Sequence, residues 1–182
     1  MYEQFKTRAE GVSAEVHRFT SSGEALTFLT DFLTQEGVAE QPGQYAVFAD
    51  CPFLKSIDPK ALEGMDGLGF EVSRERAAAA RVGISQVDWA MADTGTLVQD
   101  ATAIDKRLVS TLPTIHVALI STSGLRPDMP TVLAEVNPKT ANYIAMITGP
   151  SRTADIERVL TIGVHGPERL VIVFIDQLGG IS

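Results

Sequence analysis

The segment Thr114-Ile-His-Val-Ala-Leu-Ile120 is an apolar run with no alternation of polar and apolar residues. A second such run, Leu170-Val-Ile-Val-Phe-Ile175, lies near the end of the chain. Strands that are apolar on both faces are typical of parallel sheets covered by helices on both sides. We therefore predict an α/β fold, with an open, mostly parallel sheet and helices on both of its faces. The sequence predicts strands at residues 45–49, 69–73, 114–120, 143–147 and 170–175, and helices at 23–36, 74–81, 104–112 and 152–162, with shorter helices near the N-terminus and after Pro130.

Composition predicts one domain over residues 1–182, because 45% of the residues are hydrophobic and no linker divides the chain. The net charge is −8, and no cluster of Lys or Arg alternates with aromatic residues, which argues against nucleic acid as a partner. No apolar run is long enough to cross a bilayer, and the N-terminus does not resemble a signal peptide. We expect a cytoplasmic protein without membrane insertion.

The chain has one cysteine, Cys51, which alone can form neither an internal disulfide nor an iron–sulfur or thiolate zinc site. The three histidines are spread too widely for metal-ligand spacing, so no metal site is predicted. His116 lies inside an apolar strand, where a histidine is more often a core residue than a catalyst. Motifs for nucleotide phosphates, zinc proteases and nucleophile elbows are absent, so the cofactor is unknown.

The stretch Thr148-Gly-Pro-Ser-Arg-Thr-Ala-Asp-Ile-Glu157 has the layout of a ligand site. A predicted strand ends at Gly149, and Ser151, Arg152 and Thr153 follow where the predicted helix 152–162 begins. The first turn of a helix has unpaired N–H groups and partial positive charge, so it can bind an anion. We predict that these four residues contact a phosphate or carboxylate. The alternative is a plain strand–helix turn in which Ser151 caps the helix.

The stretch Asp93-Thr-Gly-Thr96 is predicted to be a tight turn between two extended arms, and spacing alone favours a structural role. The functional alternative is that Thr94, Gly95 and Thr96 bind a ligand while Asp93 acts as an acid, a base or a nucleophile.

The loop Gly163-Val-His-Gly-Pro167 offers His165 for proton transfer beside Gly166, although a turn-stabilising role is equally compatible. Arg107 is a further candidate ligand contact near the end of its helix, where a surface ion pair is the ordinary explanation.

The order of these motifs between residues 92 and 175 resembles the LUD domain family, and within it the lactate utilization protein C group. The match covers about half of the chain, and the pairing of Gly-Pro-Ser-Arg-Thr-Ala-Asp with Val-His-Gly-Pro is its most specific part. The residues that carry it are Ala92-Asp-Thr-Gly-Thr96, Arg107, Leu112-Pro113, His116, Ile147 to Glu157 and Gly163 to Pro167.

The resemblance implies the fold of ribose-5-phosphate isomerase, glucosamine-6-phosphate deaminase and CoA transferases. Proteins of that fold bind ligands at the carboxyl ends of strands, where the loops 94–96 and 149–153 would then lie. It invites comparison of Asp93 with the glutamate nucleophile of CoA transferases. It also implies a system that oxidises L-lactate to pyruvate with two iron–sulfur cluster proteins as partners.

These expectations leave three functions open. The leading one is a lactate-utilization subunit that binds a small anionic ligand between the Thr94, Ser151 and His165 loops. The others are a stand-alone acyl-CoA or phosphosugar transferase or isomerase, and a non-catalytic assembly module of a redox complex.

Overall fold

A six-stranded parallel sheet forms the centre of the protein. The computed structural model describes residues 1–62, 64–153, 161–162 and 165–178. Every pairing in this sheet is parallel, and residues 170–175 of its second strand are fully buried. The prediction of an open, mostly parallel α/β sheet is confirmed. The strand order is β1 (Glu15–Ser21), β12 (Arg169–Gln177), β7 (Ile115–Ser121), β4 (Ala80–Gln86), β2 (Tyr45–Phe48) and β3 (Leu68–Gly69).

Helices cover both faces of the sheet, because alternate residues of its strands supply apolar side chains to two separate cores. On one face, Leu29 and Phe53 pack with Val117 and Val173. On the other face, Phe5 packs with residues of β7 and β12. The helices of the first face are α2 (Ser22–Gln35) and α3 (Pro52–Lys55), and those of the second are α1 (Tyr2–Gly11), α4 (Arg74–Ala78) and α5 (Ile104–Thr111).

A smaller, four-stranded sheet lies over the second face. Ala90 and Leu97 from this sheet share a core with Ile120 and Phe174 of the parallel sheet. The predicted hairpin around Gly95 is confirmed as β5 (Trp89–Met91) and β6 (Thr96–Asp100). The order of the smaller sheet is β8 (Leu125–Arg126), β5 (Trp89–Met91), β6 (Thr96–Asp100) and β9 (Ile144–Ile147), and α6 (Met129–Glu135) packs on its outer side.

The strand, helix and strand predicted at residues 143–147, 152–162 and 170–175 do not form a β-α-β unit. The strand at 143–147 exists, but as β9 it pairs antiparallel with β6 in the smaller sheet instead of entering the parallel one. Residues of the predicted helix 152–162 form two short antiparallel strands, β10 (Arg152–Thr153) and β11 (Thr161–Ile162). Threonine and isoleucine, which are β-branched, favour this extended pairing. Residues 154–160 of that prediction lie outside the described residues.

Three other element predictions need correction. The helix predicted at 74–81 ends at Ala78, because Ala80, Val82 and Ile84 are buried as part of β4, and that packing overrides the helix propensity of alanine. The strand predicted at 69–73 is limited to Leu68–Gly69. Strand β1 was not predicted, because it is an edge strand with many polar residues. Within the described residues, no helix has the length and apolar character needed to cross a membrane.

Candidate functional site

A cavity of about 400 Å³ opens where β4, β7 and β12 end. The carboxyl edge of a parallel sheet is the usual place for a ligand in open α/β folds, because loops diverge there and leave a crevice. We call this space the carboxyl-edge cavity. Its walls are formed by Pro52, Gln86, Val87, Asp88, Trp89, Lys106, Ser121, Ser123, Gly124, Arg126 and Leu178.

Asp88 lies in the short connection between β4 and β5 and is held there by backbone contacts. Its N–H donates to the carbonyl of Val98 at 3.0 Å, and its Oδ2 accepts from the N–H of Asp100 at 2.7 Å. The carboxylate is open to solvent through the cavity, yet protein atoms surround most of it. Burial therefore raises the pKa of Asp88, while the Asp100 N–H and the Lys106 ammonium partly oppose that rise.

Lys106 extends from the first turn of α5 to the wall of the cavity. Its Nζ donates to the carbonyl oxygen of Asp100 at 3.3 Å, and among the described residues it forms no ion pair. The other cation of the cavity, Arg126, is occupied: Glu135 accepts from it on one side, and the carbonyls of Ser123 and Leu125 accept on the other. Lys106 is therefore the cation available to an anionic ligand.

A buried polar chain lies directly behind the cavity. The Gln99 side chain donates to the carbonyl of Gln86 at 3.1 Å and to the Ser85 Oγ at 2.9 Å, and Ser85 in turn contacts His116 Nε2 at 2.9 Å. Burial lowers the pKa of His116 to about 4, so the imidazole is neutral at pH 7. His116 is thus a core residue, as its apolar strand predicted, and through Ser85 it contacts Gln99 of the smaller sheet.

Apart from Arg107, the residues predicted to bind a ligand lie at the opposite edge of the parallel sheet. Gly149, at φ +67°, approaches the Val12 carbonyl, and a Cβ there would stand 2.5 Å from that oxygen. The Arg152 guanidinium donates to the same carbonyl at 2.7 Å and to Ser13 Oγ at 2.6 Å. Since Val12 and Ser13 immediately precede β1, these residues lie at the amino edge.

In the same region, residue 151 contacts residues 166 and 167. The Ser151 N–H donates to the Pro167 carbonyl at 2.8 Å, and Gly166 lies against the Ser151 side chain. His165, next to it, is exposed. The Thr153 backbone pairs with Thr161.

The Asp93–Thr96 turn reaches the same side of the molecule. Gly95, at φ +70°, packs against Ala9 near the end of α1, and Thr96 Oγ1 contacts Thr148 Oγ1 at 2.8 Å. Asp93 and Thr94 are exposed. The structure therefore brings the two predicted loops, 93–96 and 149–153, to the same part of the molecule. Both of them pack against the C-terminal end of α1.

Arg107 lies apart from this cluster, over the ring of Tyr143 at 5.0 Å from the ring centroid. The expectation that the loops 94–96 and 149–153 lie at the carboxyl ends of the strands is wrong, since their contacts are with segments that precede β1 and β12. The ligand contacts assigned to the predicted residues stay predictions.

The residues of the carboxyl-edge cavity were missed by sequence reasoning. A signal existed: polar residues directly follow two apolar strands, at Gln86-Val-Asp88 and at Ser121-Thr-Ser123. The first of them was not recognised, because the predicted helix 74–81 included the start of β4 and no strand was predicted over residues 82–86. Among the described residues, no group of three or more His, Cys, Asp or Glu side chains is arranged to hold a metal ion.

Comparison with known proteins places this architecture in a family. The LUD domain model matches residues 2–175. A lactate utilization protein C of Exiguobacterium sp. is 39% identical over 114 residues, which cover 59% of this chain and 50% of that protein. Its counterpart in Anoxybacillus flavithermus is 32% identical over 166 residues, covering 87% of this chain and 73% of that protein.

A solved structure has the same fold over nearly its whole length. It is a DUF162 family protein of Deinococcus radiodurans, with a TM-score of 0.65 and 20% identity, and the match covers 96% of this chain and 95% of the other. The chain spans about half the length of the Exiguobacterium relative that it matches. The match to the family model over residues 2–175 decides the assignment: the chain belongs to the LUD domain family, within the lactate utilization protein C group.

Proposed function

We propose that this protein is a cytoplasmic subunit of an L-lactate oxidation system, that it binds a small anionic ligand, and that its partners carry the iron–sulfur clusters. Its family and the name shared by its relatives support the pathway. The observation that supports ligand binding is Lys106, whose ammonium lines the carboxyl-edge cavity outside any ion pair among the described residues. A cation at the carboxyl edge of a parallel sheet suits an anionic metabolite.

The proposed division of labour follows from the chemistry of lactate oxidation. Conversion of L-lactate to pyruvate removes two electrons and two protons, so an electron carrier is needed. Cys51 is the one cysteine of the chain, it is buried, and burial raises the pKa of its thiol. A single protonated thiol does not ligate an iron–sulfur cluster. Partners with clusters would accept the electrons.

Deletion of the gene tests the pathway role. We expect the deletion strain to lose growth on L-lactate as carbon source and to regain it when the wild-type gene is supplied. Growth on pyruvate should be unaffected, because the defect lies before pyruvate. Unchanged growth on L-lactate in a strain without a second copy of the gene would contradict the proposal.

Co-purification tests the partners. The tagged chain, isolated from cells grown on L-lactate, should bring with it proteins that contain iron and acid-labile sulfide. A matched purification from pyruvate-grown cells controls for induction. The stand-alone enzyme makes the opposite prediction: the purified chain would turn over an acyl-CoA or a phosphosugar without partners, and Asp93→Asn would abolish that turnover.

A further inference from the structure

We propose that the carboxyl-edge cavity is a binding site in which Lys106 holds a carboxylate and Asp88 accepts a hydrogen bond from a hydroxyl on the adjacent carbon. The ligand class is therefore a 2-hydroxy carboxylate. This assignment rests on the proposed function for the anionic nature of the ligand, and it adds the place of binding and the residue that recognises the hydroxyl.

The two side chains are anchored on the same residue. The Asp100 N–H donates to Asp88 Oδ2 at 2.7 Å, and Lys106 Nζ donates to the Asp100 carbonyl at 3.3 Å. Their opposite charges interact, yet they do not come within the 4.0 Å of an ion pair. The Asp100 backbone thus holds Lys106 and Asp88 next to each other on one wall of the cavity, without a direct ion pair between them.

Asp88 has a free acceptor for the ligand. Its Oδ2 is used by Asp100, whereas Oδ1 has no hydrogen-bond partner among the residues that the structure describes. An ionised carboxylate only accepts hydrogen bonds, so it attracts a hydroxyl and repels a second carboxylate. A hydroxy acid would therefore bind with its carboxylate toward Lys106 and its hydroxyl toward Asp88.

The remaining walls suit a small, partly apolar acid. Ser121 and Ser123 supply hydroxyls that contact each other at 2.7 Å, while Pro52 and Trp89 offer apolar surface for a carbon chain. Arg126 does not compete for the carboxylate, because Glu135 already accepts from its guanidinium. The volume of about 400 Å³ lies near the lower end of small-molecule sites and admits acids longer than lactate.

Calorimetric titration of the purified full chain with L-lactate and with propionate tests the site. The two acids have the same carboxylate and chain length, and only lactate has the hydroxyl. We expect lactate to bind at least about tenfold more tightly, which is the usual worth of a hydrogen bond to a charged group. Lys106→Met should weaken both acids by more than about tenfold, since each loses its charge partner.

Variants of Asp88 separate recognition from folding. Asp88→Asn keeps an acceptor for the Asp100 N–H and removes the charge that repels a carboxylate. Propionate should therefore bind no more weakly than to the wild type, while the preference for lactate falls. Asp88→Ala should bring the two affinities to within about twofold of each other, because no side-chain oxygen remains to accept from the hydroxyl. Near-ultraviolet circular dichroism shows whether each variant retains its packing.

Two control variants should leave both affinities unchanged. Lys139→Met and Asp31→Asn remove exposed charges outside the cavity. Equal binding of the two acids by the wild type, binding of neither, unchanged binding by Lys106→Met, or loss of binding in Lys139→Met would each overturn this site. The pathway role is decided separately by growth on L-lactate.

Discussion

His116 shows how burial of one side chain makes stability depend on pH. Burial lowers its pKa from 6.5 to about 4, so the folded protein binds fewer protons than the unfolded chain between these values. Neutral His116 therefore makes its full contribution to the free energy of unfolding above pH 6.5. As the pH falls to 4, this contribution decreases by about 3 kcal/mol. Urea unfolding of wild type and His116→Gln between pH 7 and pH 4 measures this loss as the difference between the two profiles.

His165→Gln is the matched control, since it removes an exposed histidine instead of the buried one. Parallel profiles for His116→Gln and wild type would show that His116 does not titrate on unfolding in this way.

Among individual residues, the sequence predicted a buried His116 but not that Asp88 and Lys106 both contact Asp100. An apolar run on either side of a histidine is a local pattern that can be read directly. The side chains of Asp88 and Lys106 meet at Asp100 because the β5–β6 hairpin folds the chain back on itself. Such a contact depends on tertiary structure, so spacing in the sequence does not reveal it.

The turn between β5 and β6 depends on Gly95. Its φ of +70° favours glycine, and a Cβ there would stand 2.4 Å from the Ala9 nitrogen of α1. Gly95→Ala should therefore lower the free energy of unfolding by about 2 kcal/mol or more, because strain and displacement of α1 add together. Gly11→Ala is the control, since a Cβ at Gly11 meets nothing within 4 Å.

Chemical denaturation of both variants measures the two effects. Equal stability of Gly95→Ala and wild type would mean that α1 does not hold the turn in place. The turn itself was predictable, because Thr-Gly between extended arms is a strong local signal. Its contact with α1 was not predictable, since nothing in either segment specifies the other.

Local patterns also explain which elements were predicted wrongly. The buried strands β7 and β12 have mainly apolar sequences, so they were predicted. Edge strand β1 has polar side chains and was missed. The pattern at 143–147 predicted a strand correctly but could not say which sheet it joins, because register and partner are set by the rest of the fold.

The two sheets share one core, which bears on the prediction of a single domain over residues 1–182. Leu97 of the smaller sheet is fully buried against residues of the parallel sheet. We expect one cooperative thermal transition, with equal calorimetric and van't Hoff enthalpies. Leu97→Ala should move that whole transition to lower temperature, at a cost of about 2–5 kcal/mol.

Differential scanning calorimetry makes both measurements, and Leu133→Ala, at an exposed position on α6, serves as the control. Two separable transitions in wild type, or a shift confined to part of the signal in Leu97→Ala, would show that the sheets unfold independently.

The chain passes from one sheet to the other at Val87 and Asp88. The Val87 amide donates to Leu119 of the parallel sheet, and the Asp88 amide donates to Val98 of the smaller one. A ligand bound to Asp88 would restrain this connection, so hydrogen–deuterium exchange of backbone amides should slow in both sheets at the same time. Ligand binding could then be followed by mass spectrometry of peptides that do not contact the ligand.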